Sequence, residues 1–402
     1  MKMLRPIINW FSQLAIAARF GLSTIPERKG ASAAAAFGIG GVVAVFLGTL
    51  SIGQGFRQAL AIAGTPDTAI VMRGGADTEM VSFLSGEHAR LIADAPGIRR
   101  TDEGAWVSSE LFVIISLPKR PKFTDANVPL RGVQQAAFRI RDNIRIVAGR
   151  RFEPGRNEVI AGVGAAREFA GLELDSELRV GRNTWKVVGL FSADGGLPES
   201  EIWTDAVVLQ EAYQRGNSYQ SVIARLESPE AFDQFAAALA ADPRLSVKVI
   251  RQTDFYFEQS RVVYNLVTGL GSIIAGLMGV GAVFGALNTM YSSVSGRTRE
   301  IATLRALGFR GGPVAASVML ESMFLALAGG GMGGLLAYFA FDGFRAATMN
   351  WQSFSQVTFS FAVSPALMLK GLIYAIGIGF LGGLLPAIRA ARMPVAAGLR
   401  EP

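Results

Sequence analysis

Two stretches of the chain carry no charged residue, Gly30 to Gly55 and Val262 to Gly296. An α-helix needs roughly 20 apolar residues to cross a hydrocarbon core of about 30 Å, and both exceed that. Few soluble folds can absorb such runs. Two more follow: Val314–Phe341, broken only by Glu321, and Val363 to Ile388, broken only by Lys370. A cleaved signal peptide competes for the first run. Its apolar core would be only about 7–15 residues long, however, and three later runs still need a membrane. The first run is therefore expected to be a span, residues 31–53, with others at 262–290, 313–341 and 363–388.

Charge placement sets the expected topology. The net charge is +7, which in a soluble protein would suggest nucleic acid. Between Gln54 and Val262, however, 25 Lys and Arg face 27 Asp and Glu. The basic excess sits in three short segments beside the apolar runs: residues 1–30, 291–312 and the tail 389–402. Such segments stay on the cytoplasmic side, so the pattern is a topology signal and no nucleic-acid footprint. Both termini are then inside, with residues 54–261 and the short polar segment 342–362 outside. Within residues 1–30, Leu4, Ile7, Ile8, Phe11, Leu14, Ala15 and Ala18 recur at helical spacing. With Lys2, Arg5 and Trp10 this reads as an amphipathic helix along the bilayer surface.

Residues 54–261 alternate in character. Strand-like runs include Thr68–Met72, Glu110–Ser116, Val128–Val133, Asn157–Ala161, Trp185–Phe191, Ala206–Leu209, Ser221–Leu226 and Leu245–Ile250. Helical windows fall at Glu87–Ala95, Gly164–Ala170 and Pro229–Ala241, and turns at Gly74-Gly75, Pro118 and Gly195-Gly196. That is an α+β pattern. The expected fold class is an α-helical membrane protein with four transmembrane helices, plus a large α+β extracytoplasmic domain between the first and second.

Catalytic chemistry has little to work with. Without Cys there is neither a disulfide framework nor a thiolate metal site, and the single His, His88, lacks an accompanying zinc or triad motif. No G-x-x-x-x-G-K-[ST] phosphate cradle occurs. Gly38-Ile39-Gly40-Gly41 sits inside an apolar run with no strand before it, so it is no nucleotide loop. Glu321 is different, because an acid within a span is costly and often functional. It lies near the cytoplasmic end, where a basic residue at the interface could reach it. Gly281 with Gly285, and Gly379 with Gly383, make the G-x-x-x-G step that lets helices approach closely in lipid, between subunits or within one.

The most specific stretch is residues 291–312, where Arg297, Arg299, Arg305 and Arg310 face Glu300 alone. Val294, Ile301 and Leu304 fall on one stripe at helical spacing, with Arg297 and Arg305 on or beside it. Gly308, then Gly311-Gly312-Pro313, end that helix and start the next. A mixed stripe suits docking onto another protein; a basic loop that only fixes topology is the plainer reading. Arg297-Thr298-Arg299-Glu300-Ile301-Ala302-Thr303-Leu304-Arg305-Ala306-Leu307-Gly308 resembles the R-x-R-E-I-A-x-L-R-A-L-G signature of the FtsX-like permeases. These are membrane subunits of ABC transporters of the macrolide-efflux (MacB) and lipoprotein-release (LolC/LolE) types. Val128-Pro129-Leu130-Arg131-Gly132-Val133, residues 149–152, 157–160 and 185–191 are similar in order and spacing to the MacB-type periplasmic core domain. Glu321-Ser322 with Gly329-Gly330-Gly331 resembles the family's E-S-x-x-x-x-x-x-G-G pattern. Residues 386–400 resemble its ending, with Met393 where Asp is common and Gly398 where Ala is usual.

The resemblance implies that residues 291–312 hold a coupling helix seated on an ATPase subunit. Arg297, Arg299, Glu300, Ile301, Leu304, Arg305 and Gly308 become the expected contact. ATP and Mg would belong to that partner, leaving this chain without catalytic, cofactor or metal residues. A second permease copy forming a homodimer, a periplasmic adaptor and an outer-membrane channel complete the expected assembly in the bacterial inner membrane. The expected function is that of a permease subunit that passes ATP-driven motion to its periplasmic domain and so drives efflux. Lipoprotein release, and signalling to a cell-wall hydrolase, stay open as alternatives, and the substrate is not readable.

Overall fold

The computed structural model describes Gln13, Ala15 to Ala17, Arg19 and residues 29–62, 64–180, 183–350 and 355–399. The amphipathic helix expected in residues 1–30 falls, apart from those few positions, outside the described residues. The chain divides into two compact units, Met1–Gln54 with Asn265–Phe344 and Ala362–Pro402, and Gly55–Tyr264 with Arg345–Phe361. Its longer helices are α1 (Lys29–Ile62), α2 (Gly86–Ala93), α3 (Ala206–Ala212), α4 (Ala231–Ala241), α5 (Gln252–Ser295), α6 (Thr298–Ala306), α7 (Gly311–Phe341) and α8 (Pro365–Arg392).

In the first unit, α1, α5 from Tyr264 onward, α7 and α8 are long and apolar enough to cross a membrane. Ile39, Val43 and Leu47 of α1 form a core with Ala326 and Ala337 of α7 and with Leu367, Ala375 and Ile378 of α8. Small residues set the spacing. A Cβ on Gly333 would lie 2.3 Å from the Gly40 carbonyl oxygen, and one on Gly330 would lie 2.6 Å from Ala375 Cβ. Glycine thus lets α7 pack against both neighbours at backbone distance, the usual basis of helix association where apolar burial gives no preference.

The second unit is built on a ten-stranded mixed sheet. In chain order its strands are β1 (Thr68–Arg73), β2 (Val107–Lys119), β3 (Thr124–Val133), β4 (Arg145–Gly149), β5 (Glu158–Gly162), β6 (Glu177–Val180), β7 (Asn183–Ser192), β8 (Ile202–Asp205), β9 (Ser221–Arg225) and β10 (Val247–Arg251). They lie in the order β10-β1-β9-β2-β3-β8-β5-β7-β4, with β6 beside β7. β2 links two halves: Val107–Glu110 pair with β9, whereas Leu111–Lys119 pair with β3. On the β10 side, α2 and α4 cover one face through Ile92, Phe235 and Leu239. On the β3 side both faces are covered. Trp185, Val159 and Ile202 point into one core, while Phe191, Ile160 and Trp203 point into another. Neighbours on β5 and β8 alternate faces, and a register shift between Val187 and Gly189 puts Trp185 and Phe191 of β7 on opposite ones.

Two sequence expectations change here. Ala206–Leu209, expected as a strand, begins α3 instead. The Asp205 carboxylate accepts hydrogen bonds from the Val207 and Val208 amides at 2.7 and 3.4 Å. Such an N-cap starts a helix, and a four-residue apolar run cannot distinguish the two states by itself. Residues 342–362, expected as a loop, contain a hairpin of β11 (Arg345–Asn350) and β12 (Ser355–Ser360). The hairpin belongs to the second unit, where the Thr358 amide donates to Ser200 Oγ at 2.8 Å.

The link between the sheet halves holds a buried ionic cluster. Arg131 on β3 donates to Glu79 and Glu201 at 2.9 Å and to Glu110 at 3.0 Å, and Arg141 donates to both oxygens of Glu110 at 2.7 and 2.8 Å. Ser221 Oγ and Trp203 Nε1 complete the shell on Glu79 and Glu201. Burial by itself would raise the Glu79 carboxyl, but the Arg131 charge and the hydrogen bonds from Arg131 and Ser221 hold it below its ordinary value. Burial likewise opposes the Arg131 charge, which Glu201, Glu79 and Glu110 more than offset. Charges removed from water persist only when paired this fully.

Candidate functional site

The nine-residue α6 stands between α5 and α7 in the first unit. Glu300 in its first turn and Arg305 in its last complement the helix dipole. Its end is a Schellman turn: the Phe309 amide donates to the Leu304 carbonyl and the Gly308 amide to the Arg305 carbonyl, both at 3.1 Å. Gly308 adopts φ +96°, a left-handed value that favours glycine.

One face of α6 is committed inward. Ile301 packs with Met290 and Val294 of α5, Val314, Val318 and Leu325 of α7, and Ala387 of α8. Ala302 meets the tail, where a Cβ on Gly398 would lie 2.8 Å from Ala302 Cβ. Glycine at 398 is what allows so close an approach.

Polar groups fasten the same face. Arg297 Nε donates to Glu300 Oε2 at 3.0 Å, and its Nη1 donates to Glu321 Oε2 on α7 at 3.2 Å. Ser293 Oγ on α5 donates to Glu321 Oε1 at 3.0 Å. Glu321 is only 4% exposed and Arg297 9%, so the acid inside the span is held by a cation and a hydroxyl rather than standing alone. At the other end, Arg305 Nη1 donates to the Ala391 carbonyl, one of the acceptors that a helix C-terminus leaves open.

The opposite face is bare. Arg299, Glu300, Thr303, Ala306, Leu307, Gly308 and Arg310 are exposed, and Leu304 is half-buried. The residues expected to meet an ATPase therefore divide. Arg299, Glu300 and Gly308 face outward, Leu304 and Arg305 lie at the border, and Arg297 and Ile301 are buried against the chain's own spans. Sequence reasoning missed Leu307, 73% exposed, which stands three residues beyond Leu304. That interval was the available signal, hidden because residue 307 falls at the helix cap.

The paired glycines also divide. A Cβ on Gly379 would lie 2.4 Å from Ala326 Cβ, and one on Gly383 would lie 2.7 Å from Ser322 Cβ, so both sit in the α7–α8 contact. Gly281 and Gly285 meet nothing within 4 Å and line a cavity of about 490 Å³ between α1 and α5. Among the described residues no three acidic or His side chains gather as a metal site.

Comparison with known proteins gives this arrangement a context. The family model of the MacB-like periplasmic core domain matches residues 32–242, and that of the FtsX-like permease C-terminal region matches residues 272–395. The macrolide export ATP-binding/permease protein MacB 1/2 of Paracoccus denitrificans is 26% identical over 412 residues, covering 97% of this chain and 59% of its own length. The uncharacterized ABC transporter permease YknZ of Bacillus subtilis is 25% identical over 389 residues, covering 90% of this chain and 92% of its own. Among solved structures, the periplasmic region of MacB from Actinobacillus actinomycetemcomitans has a TM-score of 0.36 at 14% identity, over 49% of this chain and 94% of that one. The extracellular domain of YknZ has a TM-score of 0.35 at 16% identity, over 46% and 100%. With one domain model matching more than half of the chain and the other most of the remainder, the chain belongs to the MacB-like, FtsX-like family of ABC transporter permeases.

Proposed function

We propose that this protein is the membrane subunit of an ABC transporter in which a separate ATP-binding subunit docks on the bare face of α6. The subunit sits in the bacterial inner membrane with both termini in the cytoplasm and the ten-stranded unit in the periplasm. ATP and Mg are bound by the partner. The Bacillus relative is described as a permease alone, which supports placing ATP binding on a partner. The observation that carries the reading is the fastening of α6: Arg297 joins it to Glu321 on α7 and, through Glu321, to Ser293 on α5. A push on Arg299 and Leu307 is thereby delivered to two spans at once. α1 has 34 residues and α5 has 44, lengths of about 50 and 65 Å at 1.5 Å per residue. Both exceed the hydrocarbon core of about 30 Å, so each can carry the displacement past the membrane surface.

The task fitting this lever is export from the periplasm by two permease copies with a periplasmic adaptor and an outer-membrane channel. The macrolide-export relatives support it. The test is co-purification of the full chain from its native membrane, with ATP turnover measured on the complex. Arg305→Glu, Leu304→Ala and Glu300→Ala should lose the ATP-binding subunit or its stimulation. Recovery of a complete, fully active complex from all three would refute docking on α6. Recovery of a lipoprotein carrier or a cell-wall hydrolase in place of an adaptor would refute export.

A further inference from the structure

A cavity of about 520 Å³ opens where α5 ends, α6 begins and α8 runs out into the tail. Ser295, Thr298, Arg389 and Arg392 are its polar lining, and Leu385 and Ile388 part of its apolar lining, with both arginines on the same face of α8 as the two aliphatic residues. Both arginines are exposed, and no carboxylate of a described residue pairs with either. Arg389 lies over the Tyr291 ring at 5.7 Å, a contact that orients its guanidinium without neutralising it. Thr298 Oγ1 donates to the Ser295 carbonyl at 2.8 Å, which leaves Ser295 Oγ as the hydroxyl donor to a ligand. Two guanidinium groups on α8 and a hydroxyl from the end of α5, lining one cavity, suit a phosphate. The aliphatic side chains one turn back along α8 suit hydrocarbon. Leu381, Leu385 and Ile388 are all exposed at helical spacing along α8, so hydrocarbon leaving the cavity has an apolar stripe to follow.

We propose that this cavity binds an anionic phospholipid, its phosphate between Arg389 and Arg392 beside Ser295, and one acyl chain along Leu385 and Leu381. The amphipathic lining favours a lipid over a free anion, which would leave Leu385 and Ile388 wet. The bound lipid would bridge the α5–α6 corner to the end of α8, and so make the position of α6 sensitive to the lipid around it.

The full chain in detergent can be titrated with phosphatidylglycerol or phosphatidylcholine and its retained lipid counted by native mass spectrometry. Phosphatidylglycerol should be retained at least tenfold better. Losing each basic contact should weaken retention by about fivefold, so Arg389→Gln with Arg392→Gln should lose roughly twentyfold. Arg389→Lys with Arg392→Lys should keep most of it. Ser295→Phe leaves both charges in place and fills the cavity, and should lose retention as well, which decides the matter if the double variant fails to fold. Unchanged retention in the double variant or in Ser295→Phe overturns the proposal. Displacement by millimolar inorganic phosphate would make the site a free-anion site and also overturn it. So would protection of Arg389 from chemical modification by an ATP-binding subunit but not by lipid.

Discussion

Glu321, within the third apolar helix, receives Arg297 Nη1 at 3.2 Å, and Arg297 stands at the threshold of α6. The pair fixes the angle at which α6 leaves the spans. Removing Arg297 takes this cation from the buried Glu321 carboxylate, a change that typically costs about 3–5 kcal/mol. Removing Glu321 takes one carboxylate from buried Arg297, while Glu300 stays. Glu321→Ala should therefore lower the melting temperature of the full chain in detergent by several degrees. Glu321→Gln keeps an acceptor for Ser293 and should cost less. Adding Arg297→Ala to Glu321→Ala should recover part of the loss. Additive losses in the double variant would mean the two residues act independently.

Leu307 should behave in the opposite way. It is exposed and touches no core, so Leu307→Asp should change stability by no more than about 0.5 kcal/mol. If α6 docks on an ATP-binding subunit, the same change places a carboxylate in an apolar contact and should weaken that association by at least about tenfold, or roughly 1.4 kcal/mol. Pull-down of the partner by the variant, set beside its melting curve, separates the two effects. Undiminished pull-down would remove Leu307 from the interface.

Much of this architecture is legible in the chain because a membrane punishes charge so heavily. The uncharged runs at 30–55 and 262–296 locate two spans with no reference to neighbours, and the Arg-rich stretch between spans marks α6. What is not legible is which side of α6 faces inward. Ile301 and Leu304 share a stripe, yet Ile301 is core and Leu304 is at the border, since the stripe would serve equally for a partner protein or the chain's own helices. The ionic cluster was hidden for a different reason. Arg131 lies 52 residues from Glu79 and 70 from Glu201 in sequence, so only the strand order brings them together. Ala206 to Leu209 misled because the decisive residue was the capping Asp205 just before them.

That cluster should make the ten-stranded unit sensitive to both mutation and acid. Arg131→Met leaves Glu79 and Glu201 facing each other in a dry site, and a loss of about 3–5 kcal/mol is expected in the full chain. Glu79 is held below its ordinary value near 4.5. A depressed carboxyl contributes stability that is present above the unfolded value and disappears as pH falls through the folded one. Near-ultraviolet circular dichroism of the full chain should thus stay flat from neutral pH to about 5 and fall below that. Tyr256 sets a limit on the alkaline side. Burial pushes its phenol above the ordinary value of 10.0, so its contribution fades as pH rises past that value. In Glu79→Gln the acid limb should become shallower, and an unchanged limb would show that other carboxyls control it.

The two glycine pairs give the sharpest contrast between packing within the chain and packing between copies. Gly379 and Gly383 already touch Ala326 and Ser322, where an added Cβ would lie at 2.4 and 2.7 Å. Gly379→Leu must push α7 and α8 apart, and overpacking of that kind costs about 1–3 kcal/mol or more. Gly281 and Gly285 have open space around them, so Gly281→Leu should leave the melting curve within about 0.5 kcal/mol of the parent. If two permease copies pair through the α1–α5 cavity, Gly281→Leu fills the close-approach surface and should weaken the dimer at least tenfold by sedimentation or single-molecule counting in bilayers. A dimer that survives Gly281→Leu and Gly285→Leu together would place the copy-to-copy contact elsewhere. A monomer that survives Gly379→Leu unharmed would show that α7 and α8 can part without cost.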